Sequence, residues 1–255
     1  MVPERQSQKY YRDTAKYYEP FANRPDEPFF RKMAKRFGSP ILELASGTGR
    51  ISFMLAQEGY ETVGIELSTE MLEIAHQKLQ NLPETAKSRV SFHHGDIVDF
   101  DLRQRFAMII IPFAFKFLLT ADDQLACLRC VREHLREDGV FILDLYPGEV
   151  HDDDESFKTS PAEIDGAMVT KSYRSTNDLK ARLRRTEVVV EITRPTGEIE
   201  LIETESITSL MTPQESDHLL DLSGFEIVEE YGGWNFGPYN ADSWRRVLVL
   251  KVKMD

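Results

Sequence analysis

Residues 41–50, Ile-Leu-Glu-Leu-Ala-Ser-Gly-Thr-Gly-Arg, constrain this chain more than any other stretch. An apolar run carrying one acid, Glu43, gives way to small residues, and Ile51 to Glu58 then has a helix-compatible pattern. That order predicts a strand, a tight loop and a helix, with the loop passing close beneath a ligand. Gly47 and Gly49 lack side chains where the backbone must turn sharply and touch that ligand. The following helix would aim its first amides at whatever is bound. A dinucleotide loop carries a third glycine three residues after the second, so that helix can press on strand. Ser52 stands there, which makes an NAD-dependent oxidoreductase a poor reading.

Further apolar runs lead to carboxylates. Thr62-Val63-Gly64-Ile65 ends at Glu66, and an acid about 20 residues beyond a glycine loop can accept hydrogen bonds from both ribose hydroxyls. Val90 to His94 leads through Gly95 to Asp96-Ile97, and Phe106 to Ile111 reads as a buried central strand ending at Pro112-Phe113. Strands are expected at 40–44, 61–66, 89–94, 105–111 and 139–145, with helices at 49–58, 69–80 and 121–136. Such alternation builds a parallel sheet with helices on both faces. Gly139, after Arg136-Glu137-Asp138, reads as the stop of the last of these helices.

Beyond Tyr146 the pattern changes. A charged stretch, His151 to Ser156, precedes β-like runs at 167–176, 181–193 and 198–210, with a turn at Pro195-Thr196-Gly197. No helical pattern separates them, so 151–210 is expected to be an antiparallel insertion on the sheet's carboxyl edge. A helix at 213–222 and strands at 225–231 and 244–252 resume the main fold. The expected organisation is a lid over 1–38, rich in tyrosine, a binding domain from 39–150 with 211–255, and the insertion.

Together these elements resemble the class I S-adenosylmethionine (SAM) methyltransferases, in which a small-x-Gly-x-Gly loop follows an acid-bearing first strand. Ala45 occupies the place usually held by the first glycine, and is expected to keep a negative φ. The Tyr-rich N-terminus, the segment Asn23-Arg24-Pro25-Asp26 and the insertion are similar to the small-molecule branch that includes the amino-sugar N-methyltransferases. The resemblance implies a seven-stranded Rossmann-like sheet of order 3-2-1-4-5-7-6 and SAM as cofactor. It implies that Glu66 holds the ribose, Asp96 receives the adenine amine, and Leu67, Met71 and Ile97 flank the adenine ring. Glu43, Ala45, Gly47 and Gly49 would line the methionine moiety, Arg24 would hold its carboxylate, and Tyr18 and Ile111 complete the cofactor set. SAM bears a sulfonium and no phosphate, so an anionic, carbonyl-rich lining suits it. Methyl transfer is an in-line displacement at an activated carbon, driven by proximity and orientation.

Composition narrows the acceptor. A net charge of −12 opposes a nucleic-acid surface, which needs a basic stripe. Met1 to Tyr18 is too polar for a signal peptide, and no run is long enough to span a bilayer, so a cytoplasmic monomer or homodimer is expected. Cys127-x-x-Cys130 lacks companions at metal spacing and reads as helix packing, and no metal site is expected. The resemblance adds a further limit: methyltransferases acting on planar amines carry an Asn/Asp-Pro-Pro-aromatic loop here. Ile111-Pro112-Phe113-Ala114-Phe115 lacks its polar acceptor, which favours a small amine or hydroxyl acceptor. Tyr11, Phe115, Lys116 and Tyr146 are expected to face it. No residue is marked as a base: the acidic neighbours of His151 would keep its imidazolium charged. The alternative reading is a non-catalytic SAM-binding protein.

Overall fold

The computed structural model describes residues 5–22, 25–146 and 155–253. Arg24 and His151, singled out above, lie outside the described residues. The central sheet contains β1 (Ile41–Leu44), β2 (Thr62–Glu66), β3 (Val90–His94), β4 (Phe106–Ile111) and β5 (Leu135–Leu145). A smaller sheet contains β6 (Glu155–Lys158), β7 (Ala162–Ile164), β8 (Ala167–Asp178), β9 (Leu183–Thr193) and β10 (Ile199–Ser209). β11 (Phe225–Tyr231) and β12 (Arg246–Val252) return to the central sheet, giving seven strands in the order β11-β12-β5-β4-β1-β2-β3. β1 to β5 pair in parallel, while β12 runs antiparallel between β5 and β11. This is the expected 3-2-1-4-5-7-6 sheet, counted within the sheet alone.

The alternation of each central strand assigns its two faces. Leu42, Leu44, Ile109, Ile111, Phe141, Leu143, Leu248 and Leu250 point to one face, where Leu128 and Val131 of α6 (Ala121–His134) and Leu219 and Leu220 of α7 (Pro213–Leu222) cover them. Ile41, Met108, Ile110, Val140, Ile142, Val247 and Val249 point to the other. There α2 (Glu27–Phe37) contributes Phe29, Phe30, Met33 and Ala34, and α3 (Arg50–Gln57) contributes Ile51, Met54 and Leu55. Strands apolar on both faces are what a sheet buried between helix layers requires. α4 (Thr69–Gln80) packs Ala75 against Phe53 and Ala56 of α3 and Val90 of β3, and the short α5 (Glu84–Lys87) follows it.

Three details differ from the sequence reading. α6 ends at His134, and β5 begins at once with Leu135, opposite Phe106. His134 closes the helix, because its Nδ1 bonds the Cys130 carbonyl at 2.8 Å and its Nε2 accepts the Leu102 amide at 3.0 Å. Gly139 therefore lies inside the strand, where an added Cβ would sit 3.0 Å from the Phe106 carbonyl oxygen. The stretch ahead of 167 also holds two short strands, β6 and β7, both paired with β8. Finally, within 1–38, α2 is part of the core layer, and the residues lying across the carboxyl edge are 5–22: α1 (Gln6–Thr14) and two 3-10 turns.

That N-terminal segment is built onto the insertion. Tyr17 is buried with Val169, Val188, Val190 and Ile192 of β8 and β9, and Tyr10 and Phe21 pack beside it. This apolar seam ties residues 5–22 to the insertion.

Candidate active site

The site lies along the carboxyl ends of β1, β2, β3, β4 and β5. After β1 the backbone passes through left-handed conformations at Ala45, Gly47 and Gly49, with φ of 55°, 57° and 76°. Ala45 therefore does not keep the negative φ expected of it. The loop turns too tightly to do otherwise: the Ser46 amide donates to the Ile65 carbonyl, and the Gly49 amide returns to the Ser46 carbonyl. The glycines serve different ends. A Cβ on Gly47 would meet nothing within 4 Å, whereas one on Gly49 would lie 2.5 Å from the Phe92 ring. Gly47 thus borders an open cradle above the loop, and Gly49 lets α3 start against β3.

Two buried acids organise the cradle. Glu66 ends β2, and its Oε2 accepts the Gly47 amide at 2.7 Å. Its Oε1 accepts the amides of Leu67 at 2.9 Å and Ser68 at 2.8 Å. Burial raises its carboxyl above the usual range, against these bonds. An ionised carboxylate has about four acceptor sites, so with three amides bound one site remains for an incoming hydroxyl. Glu43 lies deeper; its Oε2 accepts the amide and hydroxyl of Ser52. Burial pushes it up to about 7, opposed by the Ser52 bonds and by Arg50. The position where a dinucleotide loop carries glycine is thus a buried serine tied to the strand acid. Sequence reading missed Arg50, which opens α3 and forks onto Asp26 at 2.8 and 2.6 Å.

On the adjoining side, the Leu67 carbonyl accepts from Gln8 at 3.4 Å and contacts His94 Nε2 at 3.0 Å. Met71 is buried on α4, and Ile97 is buried against the core. Asp96 accepts the Val98 amide at 3.2 Å and pairs with Arg5. Tyr11 and Tyr18 meet edge to face at 6.3 Å, and Tyr11 also meets Phe117 at 6.3 Å. Burial raises both phenols, so neither is suited to giving up a proton near neutrality.

The residues facing the other end of the cradle are partly different from those expected. Phe115 is 1% exposed and sits in the core, because the 3-10 turn 115–117 directs it inward; Ile111 is likewise buried through its side chain. Phe113, 36% exposed and with φ of 56°, stands at the lip instead, and Tyr146 is 58% exposed. Lys116 Nζ lies 3.4 Å from the centroid of the Phe113 ring. Burial, helped by Arg245 and Arg184, brings its ammonium down to about 7, while Asp144 opposes the shift. Sequence reading missed Asp144 and Arg245, both nearly inaccessible. Arg245 Nη1 lies 3.5 Å from Asp144 Oδ1, and its guanidinium is 3.6 Å from the Phe113 ring centroid. Asp144 Oδ1 and Arg245 Nε and Nη1 are buried without a hydrogen-bond partner. Trp234 donates to Asp144 Oδ2 at 3.2 Å. The chain's two tryptophans, Trp234 and Trp244, flank this group, and their placement between the last two strands was the available signal.

Burial also raises both cysteine thiols, and Cys130 donates to the Val98 carbonyl, as a packing role for both requires. No metal-ligating cluster occurs among the described residues. No helix among them is long and apolar enough to cross a membrane.

The open space over Gly47, the buried acid Glu66 at the end of β2 and a loop without a third glycine fit SAM. Residues 41–139 match the methyltransferase domain family. The chain is 31% identical over 194 residues to dTDP-4-amino-2,3,4,6-tetradeoxy-D-glucose N,N-dimethyltransferase of Saccharopolyspora spinosa, covering 75% of this chain and 72% of that one. It is 35% identical over 109 residues to a putative methyltransferase, YqeM, of Bacillus subtilis, a match spanning 42% of each chain. Among solved structures, the CcbJ methyltransferase from Streptomyces caelestis superposes with a TM-score of 0.82 at 24% identity, covering 97% of this chain and 99% of that one. Sheet order, loop geometry and sequence similarity agree, and the chain belongs to the class I SAM-dependent methyltransferases.

Proposed function

We propose that the chain methylates the amine of a small, anionic acceptor, of the nucleotide-linked amino-sugar class named for its Saccharopolyspora relative. When bound, SAM supplies a methyl group on a sulfonium. Glu66 holds the ribose, Asp96 the adenine amine, and Leu67, Met71 and Ile97 the faces of the ring. Glu43, Ala45, Gly47, Gly49, Tyr18 and the Ile111 backbone line the methionine end, where Arg24 is placed by resemblance alone. The acceptor occupies the lip formed by Phe113, Lys116, Tyr146 and the insertion. No protein nucleophile is required, because a neutral amine presents its own lone pair. The aromatic walls exclude water and hold that lone pair in line.

The observation that carries the acceptor class is the buried Arg245 guanidinium, beside Asp144 and over the Phe113 ring at the lip, with Lys116 against the same ring. Two buried guanidinium donors of Arg245 lack hydrogen-bond partners. In a chain of net charge −12, guanidinium donors left without hydrogen-bond partners beside the lip suit an anionic group such as a diphosphate. An anion there would also raise the Lys116 ammonium back toward its ordinary value. Steady-state kinetics of Arg245→Ala with a nucleotide-linked amino sugar and with the free amino sugar test this. KM for the linked sugar should rise at least tenfold, with little change for the free sugar. Equal losses on both acceptors would reject the anion-binding role.

A further inference from the structure

We infer that Arg5 is a positioning residue for the cofactor site: it clamps Asp96 in the orientation that receives the adenine amine and anchors α1 across that pocket. This rests on the reading that Asp96 holds adenine. The geometry spans three distant parts of the chain. Arg5 Nε donates to Asp96 Oδ2, while Nη1 and Nη2 fork onto Asp123 at 3.0 Å each. Asp123 lies in the first turn of α6, and Asp96 follows β3, so one planar side chain joins two elements of the main fold. The three side chains are only 20–30% exposed. The Arg5 hydrogen bond holds the Asp123 carboxyl below its usual range.

The attachment continues along α1. The Arg5 amide donates to Gln8 Oε1 at 3.0 Å, and Gln8 Nε2 reaches the Leu67 carbonyl at 3.4 Å. Arg5 and Gln8 therefore touch Asp96 and Leu67, the residues placed at the edge and face of adenine. Asp96 is not used up by the clamp. Its Oδ1 takes the Val98 amide and its Oδ2 takes Arg5, and each oxygen keeps a further acceptor site. The carboxylate is thus held at both oxygens, with acceptor capacity left on each. A lysine could not replace this arrangement, since an ammonium lacks the fork that spans two carboxylates.

Calorimetry with S-adenosylhomocysteine, and with its analogue lacking the exocyclic adenine amine, separates the outcomes. Arg5→Ala should weaken S-adenosylhomocysteine binding about tenfold, Arg5→Lys should restore less than a third of that loss, and Asp123→Asn, which leaves Asp96 untouched, should reproduce it. Acting chiefly through Asp96, Arg5→Ala should cost the deamino analogue at least threefold less than it costs S-adenosylhomocysteine, the smaller loss being the share of α1 acting through Leu67. Amide exchange of α1 in the ligand-free protein should speed up in both charge-removing variants. Unchanged or tighter S-adenosylhomocysteine binding in Arg5→Ala overturns the proposal, as does an equal loss on both ligands, which would mark a purely structural contact. If the wild-type protein binds the deamino analogue as well as the parent, the Asp96 reading has failed, whatever Arg5 does.

Discussion

Ala45 holds a φ of 55°, a conformation that costs an L-residue with a Cβ roughly 1–2 kcal/mol. Ala45→Gly should therefore stabilise the protein by up to about 1 kcal/mol, or roughly 2–4 °C in Tm for a chain of this size. A thermal melt showing a lower Tm would mean that the methyl's packing outweighs its strain. The two loop glycines separate binding from folding. Gly47→Ala places its methyl in open space and costs only left-handed strain of roughly 1–2 kcal/mol, so the fold should survive while SAM affinity falls at least tenfold by calorimetry. Gly49→Ala drives a methyl into Phe92 and Phe53 and should destabilise by about 2–4 kcal/mol, combining overpacking with left-handed strain. Glu66 is the third test. Its carboxylate accepts three backbone amides, so Glu66→Gln turns an NH2 group toward a donor and should loosen the loop as well as the ribose contact. Glu66→Ala should cost about 2–4 kcal/mol of SAM binding; a change below threefold would remove Glu66 from the ribose.

The turn after β4 shows where sequence reading stops. Strand and helix positions were legible because apolar period and caps are local: α4 starts at Ser68, whose hydroxyl accepts the Met71 amide, and spans 69–80 as expected. Glu66 was legible because it ends β2, and Glu43 and Asp96 because they stand beside the glycine loop and just past β3. The inward turn of Phe115, the exposure of Phe113 and the meeting of Lys116 with Asp144 and Arg245 depend on contacts more than 25 residues apart, which no local period encodes. The same holds for Arg5, whose partners lie 91 and 118 residues away. Lys116 gives this element a pH signature. The folded chain releases its proton near 7, whereas the unfolded chain holds it to 10.5. The unfolded state thus binds more protons between these values, and this group makes stability rise with pH across that window. Lys116→Met should raise Tm by a few degrees at pH 7, with the gap narrowing steadily toward pH 10 and closing only above 10.5. A gap that stays constant from pH 7 to 10 would show that Lys116 is charged in the fold.

At the scale of the whole molecule, the insertion and the N-terminal segment form one cap over the carboxyl edge, seamed by Tyr17, Val169, Val188, Val190 and Ile192. The central sheet has its own cores on both faces, including all of α2's buried side chains. Deleting residues 1–21 should therefore leave the central sheet folded by circular dichroism while abolishing turnover and weakening SAM binding. Because the deletion uncovers the β8–β9 face, the truncated protein should also bind a hydrophobic dye and self-associate, which loss of a loosely attached lid would not cause. The acceptor proposal belongs to this scale too, since it depends on where charge is concentrated. A nucleic-acid acceptor would be held by many phosphate contacts, and its affinity would fall steeply and linearly on a logarithmic salt axis as counterions are released. Here the cations beside the acceptor lip, among the described residues, are Lys116 and Arg245 with Arg184 near Lys116, set in a chain of net charge −12. Acceptor KM should accordingly rise only modestly, about threefold to tenfold, between 50 and 200 mM salt, for one or two phosphates engaged. A loss of a thousandfold over that range would replace the small anionic acceptor with a polyanion.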